Sequence, residues 1–147
     1  MFVLLNYCQK WFEYHPLPPL NVLGIVENII SEADPTLFNI FCQRGITSTD
    51  YAWPILKTTM NEVLSSNDWL IMWDHLFSYR KPWLLLMCTA AYNIAYRETI
   101  IAKLRTADDF QKFYKTQGHI SCKEILRIAQ QLDTDIPYRI HPRRFFQ

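Results

Sequence analysis

Glycine is scarce in this 147-residue chain, where it occurs only three times. A meander of short strands needs frequent turn residues, so the scarcity of glycine favours helices over an all-β fold. The chain also lacks an excess of charge of either sign, since 15 basic and 14 acidic side chains give a formal net charge of +1. Nucleic-acid-binding domains usually carry a strongly basic surface, and the sequence therefore predicts no nucleic-acid partner.

The chain lacks an apolar run long enough to span a bilayer. Its longest run, 83–96, contains Thr89 and Asn93 and is shorter than the roughly 20 residues that a membrane-spanning helix needs. We therefore predict a buried core helix there and no membrane span. No basic residue precedes the short apolar run 2–5, so no signal peptide is predicted either.

The four cysteines, Cys8, Cys42, Cys88 and Cys122, contain no C-x-x-C pair, and no histidine has a second histidine four residues on. This spacing matches neither a zinc site nor a dense disulfide framework, so no metal is predicted. We expect the cysteines to pack in the core as small apolar side chains in a reducing, cytoplasmic compartment. Phosphate-binding glycine motifs are missing too, and no cofactor is predicted.

Start and stop signals divide the sequence into about eight helices and no confident strand, which predicts an all-α fold. The predicted helices are one before the proline break at 15–19, 20–33, a short one from Asp34-Pro35 to Gly45, 51–64, 68 to about 79, 83–104, one from 106 to near 118, and one after 121 that stops at Pro137. The helix 83–104 is apolar on almost every side at first, so we expect it at the centre of the fold.

Four helix ends carry explicit capping signals. Asp34-Pro35 is an N-cap followed by proline, and Gly45 suits a left-handed C-cap. Thr106-x-x-Asp109 and Ser121-x-x-Glu124 have the spacing of capping boxes.

The segment 51–77, YAWPILKTTMNEVLSSNDWLIMWDHLF, resembles the second half of a TBC domain, the helical module of Rab GTPase-activating proteins. It has an aromatic-rich helix, a short break, and a helix containing L-x-x-W-D. Trp11 with the prolines of 16–19, and then Asp34-x-x-Leu37, are similar to the family's lead-in. The resemblance covers about 1–137 and leaves 138–147 as a tail. The structural signature that it implies consists of Trp53, Leu70, Trp73, Asp74 and Arg97.

Family members accelerate GTP hydrolysis with an arginine in I-x-x-D-x-x-R and a glutamine in Y-x-Q-G. Neither motif is complete here, because Phe77 stands where Ile71-x-x-Asp74 would require arginine, and 7–9 spells Y-x-Q without the glycine. The resemblance therefore implies no catalytic residue. Pro54-Ile55 also replaces the Arg-Trp pair that many members have at this place.

These departures predict a non-catalytic scaffold that binds protein partners, with Rab-type small GTPases as one candidate class. The alternative is the supporting lobe of an active Rab GTPase activator whose catalytic residues lie upstream of residue 1. A third reading is a purely structural lobe that offers no partner surface. Resemblance to the WD-repeat-containing branch of the family implies a place at the centrosome or the base of the cilium.

Two interaction surfaces are predicted at the ends of the chain. Removing the first half of a TBC domain would expose an apolar face at Phe2, Val3, Leu5, Trp11 and Phe12. This predicts either self-association or a remodelled N-terminal helix. The C-terminal end is either a solvated tail or a docking peptide, with Arg143, Arg144, Phe145 and Phe146. Asp74, amid apolar neighbours, is expected to accept hydrogen bonds that tie two helices together.

Overall fold

The computed structural model describes residues 20–57, 67–68, 70–71, 74, 83–116 and 118–142. All regular structure in these ranges is helical, which confirms the predicted all-α class. The helices are α1 (Leu20–Ala33), α2 (Pro35–Gln43), α3 (Ser48–Tyr51), α4 (Trp53–Lys57), α5 (Leu84–Ala95), α6 (Arg97–Lys103), α7 (Ala107–Tyr114) and α8 (Cys122–Asp135), followed by a 3-10 turn at Tyr138–Ile140. Positions 67, 68, 70, 71 and 74 are helical as well.

Helix α5 is the centre of the described fold. Every side chain from 84 to 93 is buried, and the helix packs mainly against α8 and α1. A helix with no exposed face has to be covered on all sides, so the prediction of a central helix from the apolar run is confirmed. The two polar side chains of α5, Thr89 and Asn93, both form hydrogen bonds. The Thr89 hydroxyl donates to the Leu85 carbonyl at 2.9 Å.

Asn93 joins three helices in the middle of the core. Its amide nitrogen donates to the Tyr51 carbonyl at 3.1 Å and to the Thr89 carbonyl at 3.0 Å. Its amide oxygen accepts a hydrogen bond from the Tyr114 hydroxyl, and burial raises the pKa of that phenol well above its usual range. A buried polar network of this kind fixes one arrangement of α3, α5 and α7.

The predicted single helix 83–104 is wrong, because the chain forms two helices that meet at Tyr96. This residue has φ −99° and ψ 18°, outside the α-helical region. Its hydroxyl accepts the Ile120 N–H at 2.7 Å, and its ring contacts those of Phe113 and His119. The side chain is thus held by residues distant in sequence, at the point where α5 gives way to α6.

The helix predicted for 51–64 begins three residues earlier than expected. Thr47 is the N-cap of α3, and its N–H donates to the Asp50 carboxylate at 3.1 Å. Several of the residues at 47–50 are good caps, and the reciprocal contact with Asp50 selects Thr47 among them. The helix is interrupted at Ala52 and resumes as α4, where Pro54 occupies the first turn.

The capping signals around α2 are confirmed. The Asp34 side chain accepts the Leu37 N–H at 3.2 Å, and Gly45 has φ +67°. The Gly45 N–H bonds to the Cys42 carbonyl and the Ile46 N–H to the Phe41 carbonyl, which together form a Schellman motif. Glycine suits this position because it adopts a left-handed conformation without a Cβ clash.

The two later capping motifs both form, but each differs from the prediction in one respect. Thr106 and Asp109 make the predicted capping box, but α7 ends at Tyr114 rather than near Gly118. Ser121 accepts the Glu124 N–H, whereas the Glu124 carboxylate bonds to Arg127 instead of reaching back to Ser121. The cap at Ser121 therefore rests on the serine side chain.

Candidate protein-binding groove

Arg97 belongs to the signature implied by the resemblance, and the structure pairs it with Asp34. The Arg97 Nε lies 2.8 Å from Asp34 Oδ2, and its Nη2 lies 3.4 Å from Oδ1. The same carboxylate caps α2 through the Leu37 N–H. One side chain thus joins the start of α2 to the start of α6.

The other signature residues occupy different environments. Trp53 is buried, but Leu70 is 54% exposed, and Asp74 is exposed too. The hydrogen bonds by which Asp74 was expected to tie two helices together stay a prediction. Trp73 and both predicted end surfaces, with Phe2, Val3, Leu5, Trp11, Phe12, Arg143, Arg144, Phe145 and Phe146, lie outside the described residues.

A groove of about 420 Å³ lies between α1, α5 and α8, and we call it the α1–α5–α8 groove. Its apolar floor consists of Ala33, Ile94, Ile128, Leu132 and Ile136. Its polar rim consists of Glu32, Arg127, Gln131 and Asp135. An apolar centre surrounded by polar groups is the arrangement found in protein–protein interfaces.

The polar groups on the rim are already paired within the chain. Arg127 Nη2 lies 2.6 Å from Glu124 Oε1, an ion pair that raises the pKa of the arginine and lowers that of the carboxylate. Gln131 Nε2 donates to Asp135 Oδ2 at 2.9 Å. A partner that covers this rim therefore buries fewer unpaired charges than one that covers isolated charged side chains.

The C-terminal end of α8 is held by contacts to Asp133. The Trp83 indole N–H donates to Asp133 Oδ1 at 2.9 Å, and the buried His141 places Nε2 2.9 Å from the same oxygen. These contacts fix the end of α8 to the start of α5 and to the residues after the 3-10 turn. The proposed boundary between 137 and 138 stays a prediction, although His141 and Pro142 are buried.

A second cleft, of about 340 Å³, lies between α1, α2 and α3, and we call it the α1–α2–α3 cleft. Its polar lining includes Glu27, Cys42 and Ser48, and its aromatic lining Phe38, Phe41 and Tyr51. The Ser48 hydroxyl donates to Glu27 Oε1. The Tyr51 hydroxyl is buried and has no hydrogen-bond partner among the described residues. Burial, with the negative charge of Glu27, raises the pKa of this phenol far above the usual range.

The cysteines differ from the expectation in one case. Cys88 and Cys122 are buried, as predicted, but Cys42 is exposed at the edge of the α1–α2–α3 cleft. Burial raises the pKa of the Cys122 thiol to about 11, with a further contribution from Asp68. Cys8 lies outside the described residues. The prediction of a core position for every cysteine is therefore wrong for Cys42, because that side of α2 faces solvent.

Sequence reasoning missed most residues of the α1–α5–α8 groove. Ile128, for example, lies half-buried at the groove, and no motif or capping signal pointed to it. A usable signal was the four-residue spacing of Arg127, Gln131 and Asp135, which places them along one edge of α8. That edge runs beside the apolar positions 128 and 132 and marks where the buried face ends.

Within the described ranges, no group of three His, Cys, Asp or Glu side chains is arranged to hold a metal ion. None of the helices described is both long enough and apolar enough to cross a membrane.

The sequence is similar to proteins named TBC1 domain family member 31. It is 40% identical over 142 residues to the one from Xenopus tropicalis, a match covering 97% of this chain and 13% of that protein. It is 38% identical over 140 residues to the one from Homo sapiens, covering 95% and 13%, and 36% identical over 140 residues to the one from Mus musculus, covering 95% and 14%.

The chain thus spans about 13% of the length of the relatives that it matches first. No family model matches the sequence. No solved structure matches it either. Both the all-helical structure and the alignment along nearly the whole chain agree with the resemblance first noted at 51–77, and the chain is a relative of the TBC1 domain family member 31 proteins that matches one segment of them.

Proposed function

We propose that this chain is a non-catalytic, TBC-like interaction module whose α1–α5–α8 groove binds a protein partner. The observation that carries the proposal is the apolar floor of Ile94, Ile128 and Leu132 beneath a rim of polar groups paired within the chain. An amphipathic helix of a partner suits such a groove, because its apolar side chains recur every three or four residues along one face. Its polar face would remain in water.

The sequence supports the non-catalytic part of the proposal. Neither I-x-x-D-x-x-R nor Y-x-Q-G occurs in the 147 residues. Without an arginine to neutralise the developing charge and a glutamine to orient water, a TBC-like chain lacks the groups that accelerate GTP hydrolysis. Similarity to proteins named for a TBC1 domain makes Rab-type small GTPases the first class of partner to test.

The alternative function is the supporting lobe of an active Rab GTPase activator. The observation that favours it is the length of the relatives, of which the matched segment is only about 13%. In that case the catalytic residues would be supplied by another part of the longer protein. The groove would then hold the lobe against its own protein instead of a separate partner.

A single experiment compares these functions. Purified Rab-type GTPases, loaded with GDP or a non-hydrolysable GTP analogue, are passed over the immobilised chain, and GTP hydrolysis is measured in parallel with the chain and with a full-length relative. We expect retention of at least one GTPase and no acceleration by the chain. Acceleration by the chain itself overturns the proposal, and acceleration by the relative alone, without retention on the chain, supports the supporting-lobe function.

The groove is tested by a matched pair of substitutions on α8. Ile128→Glu places a charge on the apolar floor, and Gln130→Glu places the same charge at an exposed position of the same helix. We expect the first to abolish retention and the second to preserve it. Equal retention by both variants rules out the groove as the binding surface.

A further inference from the structure

The geometry points to a second binding site: the α1–α2–α3 cleft receives a lysine or arginine side chain of a protein partner. The inference rests on the proposed function only in taking the partner to be a protein. Its location, its ligand chemistry and its test are independent of the α1–α5–α8 groove.

The charge of the cleft is the first argument. Glu27 is the only charged side chain that lines it in the described part of the chain. Its Oε1 accepts the Ser48 hydroxyl, and no bond to Oε2 is found among the described residues. A half-buried carboxylate with a free oxygen favours a cationic ligand, because a charge-assisted hydrogen bond is stronger than a neutral one.

No cation of the chain neutralises Glu27 within the described part of the structure. The nearest basic residue in sequence to the loop at the cleft is Arg44, and its guanidinium is bound to backbone carbonyls of α6 and of Leu104, which follows it. Its Nη1 donates to Ile100 and Leu104 at 2.9 and 2.7 Å, and its Nη2 donates to Ile101 at 2.8 Å. Three such bonds hold Arg44 away from the carboxylate, so the negative charge of the cleft remains available.

The aromatic lining is the second argument. Phe41 and Tyr51 stack with ring centroids 4.2 Å apart and are almost fully buried, so Phe38, which is only partly buried, supplies the accessible aromatic surface of the cleft. Aromatic faces attract ammonium and guanidinium groups, and the aliphatic stem of lysine or arginine packs on apolar surface while the charged end reaches a carboxylate. Acidic and aromatic groups together therefore select a long basic side chain over a small inorganic cation.

The cleft is also open to an incoming side chain. Cys42, Gly45 and Thr47 at its edge are all exposed. The Schellman motif fixes the loop that carries two of them, since the Ile46 N–H bonds to the Phe41 carbonyl at 2.8 Å. A fixed, open edge beside a carboxylate suits insertion of one side chain with little rearrangement.

The test uses two small probes that differ only in the terminal ammonium group. Nα-acetyl-lysine methylamide and Nα-acetyl-norleucine methylamide, which has the same four-carbon side chain without the ammonium group, are titrated into the chain, and the amide NMR shifts of Gly45, Ile46 and Thr47 are followed. A single basic side chain is expected to bind with a Kd on the order of millimolar. We expect the lysine probe to shift these amides saturably, less so at high salt, and the norleucine probe to leave them unchanged.

Two variants assign the effect to Glu27. Glu27→Gln keeps an oxygen for the Ser48 hydroxyl and removes the charge, and we expect binding about tenfold weaker. Glu98→Gln removes an exposed charge on α6 and should leave the affinity unchanged. The proposal is overturned if both probes bind equally, if neither shifts the loop amides, or if Glu27→Gln binds like the unsubstituted chain. Each outcome is read independently of GTPase retention, which the groove variants report.

Discussion

Asp34 and Arg97 are 63 residues apart in the sequence and form an ion pair in which Nε and Oδ2 are separated by 2.8 Å. The carboxylate is only 12% exposed, while the arginine side chain is 40% exposed. Asp34 also caps α2 through the Leu37 N–H. The pair is therefore unequal, because the aspartate has two structural roles and the arginine has one.

This difference predicts which of two alanine substitutions lowers the free energy of unfolding more. Asp34→Ala removes the cap and the ion pair, and we expect it to lower the free energy of unfolding by about 1–2 kcal/mol. Arg97→Ala leaves the cap intact and removes a partly exposed pair, so we expect a loss of about 0.2–1 kcal/mol. Chemical denaturation of both variants and of the double variant measures each effect and their coupling. A larger loss for Arg97→Ala than for Asp34→Ala contradicts the assignment.

Two buried tyrosines give a matched pair of hydroxyl deletions. Tyr114→Phe removes the donor to the Asn93 amide oxygen, and a buried acceptor left unpaired costs about 1–3 kcal/mol. Tyr51→Phe removes a buried hydroxyl for which the described residues supply no hydrogen-bond partner. We expect it to be neutral or slightly stabilising, because no bond is lost and a desolvated polar group is removed.

The two phenylalanine variants are compared by thermal or chemical denaturation, since both keep the aromatic ring in place. The informative quantity is the difference between them. If Tyr51→Phe is as destabilising as Tyr114→Phe, the Tyr51 hydroxyl has a partner in solution. If both are neutral, the Asn93 network does not contribute to the stability of the core.

The capping box of α7 predicts a local response to acid. Asp109 accepts the N–H groups of Arg105 and Thr106 at 3.1 and 3.2 Å, and these bonds lower its pKa. A carboxyl group whose pKa is lowered by folding stabilises the folded state above its unfolded pKa, and this contribution is lost as the pH falls through the lower folded pKa. We expect the protection of the amides at the start of α7, relative to an unfolded chain at the same pH, to fall below about pH 4, near the unfolded pKa of aspartate.

The Asp109 prediction is checked by the hydrogen-exchange protection of the Arg105 and Thr106 amides between neutral and acidic pH. Asp109→Ala should exchange rapidly at these amides at every pH. Asp108→Ala changes the neighbouring acidic residue, which is exposed and pairs with Lys112 at 3.1 Å, and it should keep the protection at neutral pH. Protection that is independent of pH in the unsubstituted chain would show that Asp109 does not hold this helix end.

Sequence reasoning succeeded where the deciding contacts are local. The caps at Asp34, Gly45 and Thr106 depend on groups within three or four residues, and all three are confirmed. The break at Tyr96 was missed, and the contact that holds this side chain is a bond to Ile120, 24 residues away. No periodicity within 83–104 records that contact, so an apolar run was extended through it.

The residues of the candidate sites were also hard to predict from the sequence, because they meet only after the helices pack. The α1–α5–α8 groove takes residues from three helices, and only their packing brings Ile94 and Ile128 to one surface. The family resemblance drew attention to 51–77, yet Leu70 and Asp74 of that segment are exposed. A one-dimensional motif records which residues recur, whereas a binding surface depends on which faces remain uncovered after the helices pack.

Alanine substitutions at the three glycines give the most selective test of the backbone conformation and of the packing around it. An ideal Cβ on Gly118 would lie 2.0 Å from the Tyr96 hydroxyl and 2.8 Å from the Tyr92 hydroxyl. Both tyrosines are buried, and the Tyr96 hydroxyl also accepts the Ile120 N–H, so neither ring has room to retreat. We expect Gly118→Ala to destabilise the fold by about 1–3 kcal/mol, the usual cost of overpacking.

The other two glycines are the controls, and their predicted effects differ in sign. Gly24 lies inside α1, and a Cβ added there would meet no atom of the described residues within 4 Å. Gly24→Ala should therefore stabilise the protein by about 0.5–1 kcal/mol through helix propensity. Gly45 has equal space but φ +67°, so Gly45→Ala should cost about 1–2 kcal/mol in backbone strain alone. Denaturation of the three variants ranks them. A stable Gly118→Ala protein would mean that the Tyr96 side chain is not held by Ile120, and the break between α5 and α6 would then need another cause.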